Sequence, residues 1–118
     1  MCFDKTKNVI KESEHPFTTG YGTTDERITC HYYDHLLTSF IFSIIHEMGH
    51  ATYEKNCDPK FDDTALSGGS TMAMHESQSR FYENIVGRSY QFWKTHYPIL
   101  KQTFVEQLKD ISLDQFYR

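Results

Sequence analysis

The chain has 118 residues, enough for one compact domain and little more. Its net charge of −4 excludes the basic surface that phosphate binding needs, so no nucleic-acid partner is expected. No apolar run approaches the roughly 20 residues of a membrane span, so no membrane partner is expected. The N-terminus lacks the apolar core of a signal peptide, and the expected location is cytoplasmic.

Eight Tyr, nine Phe and one Trp make the core largely one of rings, and some of these are expected at an interface. The three cysteines, Cys2, Cys30 and Cys57, have no ligand-like spacing and read as free thiols in a reducing compartment. Up to residue 14 the only strong apolar positions are Phe3, Val9 and Ile10, with a short strand at Val9–Ile10. His15-Pro16-Phe17 opens a Thr- and aromatic-rich run. Gly22-Thr23-Thr24-Asp25 has turn chemistry, and Arg27 to Tyr32 is β-prone again. The pattern predicts a hairpin across residues 16–32, with Pro16 at a strand start or edge.

Asp34 is the expected N-cap of a helix over about 35–54. Leu36, Leu37, Phe40, Ile41, Ile44, Ile45, Met48 and Ala51 recur at helical spacing in a stripe broad enough to be buried on most sides. The C-terminal half of that helix carries His46-Glu47-Met48-Gly49-His50. Positions i and i+4 lie on one face about 40° apart, so His46 and His50 can hold one metal ion between them. Glu47, about 100° round the helix, can reach a water on that ion without being a ligand. In so apolar a setting these polar groups need partners, and a metal supplies one.

Residues 56–70 are rich in breakers and cap formers, from Asp58-Pro59 to Ser67-Gly68-Gly69-Ser70, and read as a loop. A second helix is expected from about Thr71, with His75-Glu76-Ser77-Gln78 followed by Phe81, Tyr82, Ile85 and Val86. Pro98 is expected to open a third helix over 98–109, since proline is tolerated in a first turn. Residues 111–118 look like the start of another helix without an obvious cap.

A catalytic zinc takes three protein ligands and leaves a fourth position to water. Glu76, across the Gly-rich loop, is the best-placed third donor. His75 is the runner-up, and Glu54, four residues after His50, is a further candidate where the helix is ending. The chemistry is hydrolysis of a carbonyl bond, with Glu47 taking a proton from the attacking water and returning it to the leaving amine.

Four patterns now stand in order: His15-Pro16-Phe17; Asp25-Glu26-Arg27-Ile28-Thr29; His46-Glu47-Met48-Gly49-His50; and His75-Glu76-Ser77-Gln78. Together they resemble the M32 family of zinc carboxypeptidases, the thermostable-carboxypeptidase type, over essentially the whole chain. The resemblance implies zinc ligands at His46, His50 and Glu76, with cobalt as an alternative metal, and Glu47 as general base. It implies removal of single residues from peptide C-termini, and places His15 and Arg27 near the cleft, with His75 a further substrate-side candidate. Asp25 is an alternative partner for Arg27.

The expected fold is mainly α with a small β-hairpin, the His-Glu helix packed on the following helices as in a zincin-type fragment of a larger helical fold. Residues 1–118 read as a single segment of such a domain. Family members run to several hundred residues and usually form homodimers. Two further family motifs, I-R-x-x-A-D and G-x-x-Q-D-x-H-W, lie C-terminal to this region and do not occur here. Homodimerisation or self-association is therefore expected through exposed apolar faces. The alternative function is a zinc-binding, self-associating segment without catalysis.

Overall fold

The computed structural model describes residue 6 and residues 8–118; Cys2 and Phe3 lie outside the described residues. Three short strands open the fold: β1 (Val9–Glu12), β2 (Thr18–Tyr21) and β3 (Asp25–Cys30). Strand β3 is central, antiparallel to β2 and parallel to β1. The expected hairpin is β2–β3, closed by a 3₁₀ turn at Gly22–Thr24, and the Val9–Ile10 strand completes a mixed sheet. Gly22 sits at φ 62°, where a side chain would be strained. The Asp62 carboxylate beside it accepts bonds from the Thr23 amide and hydroxyl, tying this turn to the loop after the long helix.

Alternation sets the two faces of β3. Glu26, Ile28 and Cys30 are buried against helix α1 (Leu37–Lys55), while Arg27 points outward. Helix α1 spans 19 residues, about 28 Å at 1.5 Å per residue. Two expectations change here. Asp34 is not the cap: it lies in a turn closed by Leu36 N–H to Tyr33 O, and the helix starts from Leu36 without a side-chain cap. Burial is also uneven. Ile45, Glu47, Gly49 and Ala51 are buried, whereas no residue from Leu37 to Ile44 is, because the sheet and the following helix cover the C-terminal half.

Thr71 caps α2 (Met72–Arg80) by accepting the Met74 amide. The chain then widens into a π-helical stretch, Phe81–Gly87. Ser89 caps α3 (Tyr90–Thr103), so the third helix begins well before Pro98 and runs through it. An interior proline removes one backbone hydrogen bond and strains the preceding turn. Here Lys94, Thr95 and Pro98 are exposed, which puts the ring on the solvent side of the helix, while Trp93 and Tyr97 bury the opposite face. Two short helices follow, α4 (Val105–Leu108) and α5 (Leu113–Tyr117). The latter does have a cap: Ser112 and Gln115 form a capping box, a Ser-x-x-Gln signal that the sequence carries. Phe116 of α5 meets Trp93 and Tyr97 at ring-centroid distances of 4.8 and 4.9 Å.

Candidate metal centre

Helices α1 and α2 pass close because Gly49 has no side chain. A Cβ at Gly49 would stand 2.6 Å from the Ser79 Cα, and Ser79 is fully buried at that crossing. The close approach brings the α2 carboxylate of Glu76 onto the imidazoles of α1. Glu76 Oε2 lies 3.5 Å from His46 Nε2 and 3.6 Å from His50 Nε2. Donor atoms of all three residues fall within 4.8 Å of one another. A tetrahedral zinc with bonds of about 2.0–2.1 Å sets its ligands roughly 3.3–3.4 Å apart, close to the two distances from Glu76 to the imidazoles.

The other atoms of these candidate ligands are held in turn. Arg80 donates to Glu76 Oε1 at 2.8 Å, leaving Oε2 to face the imidazoles. The Arg80 bond, with both histidines contributing, holds the Glu76 carboxyl below the usual range, and it is an anion at neutral pH. His46 Nδ1 lies 3.0 Å from Glu83 Oε2, and Glu83 Oε1 accepts from Arg88. Burial works to raise the Glu83 carboxyl, but the bonds from Arg88 and His46 outweigh it and the net shift is downward. His50 Nδ1 stands 3.1 Å from His75 Nδ1, and His75 Nε2 makes a short contact to Glu54 Oε1. Burial lowers the His50 imidazole's pKa, favouring the neutral form that has a lone pair to offer.

Glu47 is 7% exposed and, with His50, lines a cleft between the sheet and the helices. The Thr18 hydroxyl of β2 donates to its Oε2 at 2.7 Å, so the sheet orients the carboxylate that the sequence singled out as base. The cleft holds about 520 Å³ between sheet and helices, with Phe17, Thr18, Glu47, His50 and His75 among its walls.

His46, His50, Glu76, Glu47 and His75 are thus brought together, with His75 behind His50. Arg27 and His15 are not part of this cluster. Arg27 is on the outer sheet face in a two-bond pair with Asp25, at 2.6 and 3.1 Å. His15 is exposed, with Nδ1 2.8 Å from the Pro16 carbonyl. Two carboxylates escaped the sequence reading in their observed roles. Glu83 sits seven residues after Glu76, two helical turns, a spacing that put it within sight. The sequence offers Glu54 only as a ligand candidate. It instead accepts the Gly69 amide with both oxygens at 3.0 and 3.1 Å and faces His75.

Comparison with known proteins gives one answer. The profile of the family described as carboxypeptidase Taq (M32) metallopeptidase matches residues 1–118. The chain is 45% identical over 118 residues to carboxypeptidase 1 of Bacillus subtilis, covering all of this chain and 24% of that protein. It is 46% identical over 97 residues to thermostable carboxypeptidase 1 of Pyrococcus furiosus, covering 82% of this chain and 19% of that one. The crystal structure of the M32 carboxypeptidase from Deinococcus radiodurans superposes with a TM-score of 0.92 at 40% identity, over 98% of this chain and 23% of that one. Metallocarboxypeptidase 1 of Trypanosoma cruzi does so at 0.86 and 34%, over 98% and 24%. The chain therefore spans about a quarter of the length of the relatives it matches. With four ordered motifs, a fold shared across its length and a profile match from end to end, the chain belongs to the carboxypeptidase Taq (M32) family of metallopeptidases.

Proposed function

We propose that this chain carries the metal-and-base half of a zinc carboxypeptidase that removes residues from peptide C-termini. The observation that carries the reading is the convergence of His46 Nε2, His50 Nε2 and Glu76 Oε2 beside the buried Glu47. Two imidazoles and one carboxylate suit zinc, with cobalt an acceptable substitute. Zinc, when bound, supplies an acidified water and polarises the scissile carbonyl. The chain's own part is positional. Glu47, held by Thr18, accepts the proton as the water attacks and delivers it to the leaving amine. Among the described residues no lysine or arginine lines the cleft, so reading of the substrate's terminal carboxylate falls to the part of the relatives' length that this chain does not span.

Cytoplasmic residence belongs to the same proposal. It is supported by unpaired thiols at Cys30 and Cys57 and by the lack, among the described residues, of a helix long and apolar enough to cross a membrane. Self-association is supported by exposed apolar side chains, Leu66, Met72, Ile85 and Ile99 among them. The test is release of the terminal residue from an N-blocked dipeptide, with and without chelator. The expected result is chelator-sensitive turnover that is lost in Glu47→Gln while zinc stays bound. Bound zinc without turnover in the unaltered protein would establish the metal-binding, self-associating alternative instead.

A further inference from the structure

Glu26 has no place in the metal centre, yet it lines the same cleft. It is 3% exposed, and neither carboxylate oxygen has a hydrogen-bond partner among the described residues. A buried carboxylate left unpaired costs several kcal/mol, and native structures rarely keep one without use. Burial pushes its pKa up to about 7, with Glu54 and Asp25 adding to the rise and Lys55 opposing it. Space for it comes from Gly20, its register partner on β2, where a Cβ would stand 2.9 Å from Glu26 Oε2.

The cleft around it is acidic: Glu26, Glu47 and Glu54 line it, with no lysine or arginine among the described lining residues. Glu47 is held by Thr18, and Glu54 is taken by His75 and Gly69; Glu26 alone of the three has nothing. Thr18 and Gly20 lie two residues apart on β2, which separates their Cα atoms by about 6–7 Å. That is close to the length of an extended lysine side chain. A substrate residue beside the scissile bond, near Glu47, can therefore lay a long side chain along β2 toward Glu26, whose buried carboxylate turns toward the cleft to meet it.

We propose that Glu26 is the floor of a subsite for a cationic side chain, lysine or arginine, on a peptide residue flanking the cleaved bond. The inference rests on the peptidase reading above and adds its specificity. An ammonium or guanidinium brings the donors that the orphan carboxylate lacks, in a low-dielectric setting where a charge-assisted bond is strong. An apolar side chain of equal length leaves Glu26 unpaired. Glu26 is not part of the metal-holding group found among the described residues, so a peptide cation is the simpler occupant.

The test uses the zinc-loaded protein at pH 8, where Glu26 is ionised. Substrates are N-blocked dipeptides with lysine or norleucine, which shares the lysine stem, at either position. The expected kcat/KM ratio of lysine over norleucine is about 10 at one of the two positions. It should collapse to about 1 in Glu26→Val and in Glu26→Gln, the second variant guarding against misfolding of the first. An equal ratio in the unaltered protein and both variants overturns the subsite. Absence of any chelator-sensitive release, even from norleucine substrates, sinks the peptidase reading instead. The subsite is then judged by calorimetry on metal-stripped protein with N-acetyl-lysine amide and N-acetyl-norleucine amide. Binding of the lysine compound alone, lost in both variants, supports it; equal binding of the two overturns it.

Discussion

His50 and His75 face each other through their Nδ1 atoms at 3.1 Å, so one of the two rings donates there and the other accepts. A His50 that offers its Nε2 lone pair to a metal shared with Glu76 carries its hydrogen on Nδ1 and donates it to His75 Nδ1. His75 then keeps its own hydrogen on Nε2 and donates it to Glu54, which the Gly69 amide holds in place. His46 reaches its carboxylate, Glu83, directly. The two imidazoles of the His-Glu-x-x-His helix are thus oriented by different devices, one with an extra ring in line.

Removing that extra ring should loosen the metal without touching a ligand. His75→Phe is expected to weaken zinc binding about 10–100-fold, measured by competition with a coloured chelator. Glu54→Gln should give a smaller loss of the same kind. Zinc affinity unchanged in both variants would show that His75 only fills space.

Glu83→Ala should weaken zinc to a similar degree, about 10–100-fold, because His46 loses the acceptor that fixes its ring. Arg88 loses its ion pair as well, but it keeps Asn84 and the Phe42 ring and is half exposed, so the thermal midpoint should move less than the zinc affinity. A midpoint that falls while zinc binding stays intact would make Glu83 a stability residue only.

Gly49→Ala should be costly although it adds one methyl group. The new Cβ meets the Ser79 backbone and must push α2 away, which costs about 1–3 kcal/mol and carries Glu76 off the imidazoles. Denaturant unfolding of the metal-free protein and zinc titration should both register the change.

Pro98→Ala should stabilise the protein by about 1–3 kcal/mol, since it restores a helical hydrogen bond in α3 on an exposed face. A lower thermal midpoint in this variant would mean that the proline ring makes a contact worth more than the bond it removes.

Glu26 should make the metal-free protein less stable as pH rises. Its carboxyl titrates near 4.5 when unfolded and at about 7 when folded, so the folded state holds the extra proton between these values. The contribution is complete below about 4.5 and is lost as pH passes through 7, on the order of 3 kcal/mol at most. Glu26→Val should flatten the fall in stability between pH 5 and pH 8. An identical profile in the variant would place the titrating group elsewhere.

Much of the centre was legible because it is local. His46 and His50 share a face by helical arithmetic alone, and Glu47 follows from adjacency. The β2–β3 hairpin was readable from turn chemistry, and the start of α2 from Thr71. Pro98 misled because its penalty depends on whether the freed carbonyl meets solvent or a neighbour, which no single helix decides. Asp34 misled because a cap residue can equally join a tight turn.

By itself, then, the sequence determined the family and singled out the candidate metal-holding helix and the candidate base beside it, since each rests on residue types at fixed short spacing. Only the tertiary structure decided which carboxylates serve which imidazole. Glu76, Glu83 and Glu54 all lie at plausible spacings, and the choice among them turns on how closely α2 can approach α1 at Gly49. It also decided that Arg27 faces away while Glu26, one residue earlier, faces in, because a strand's alternation has no sign until one side of it is buried.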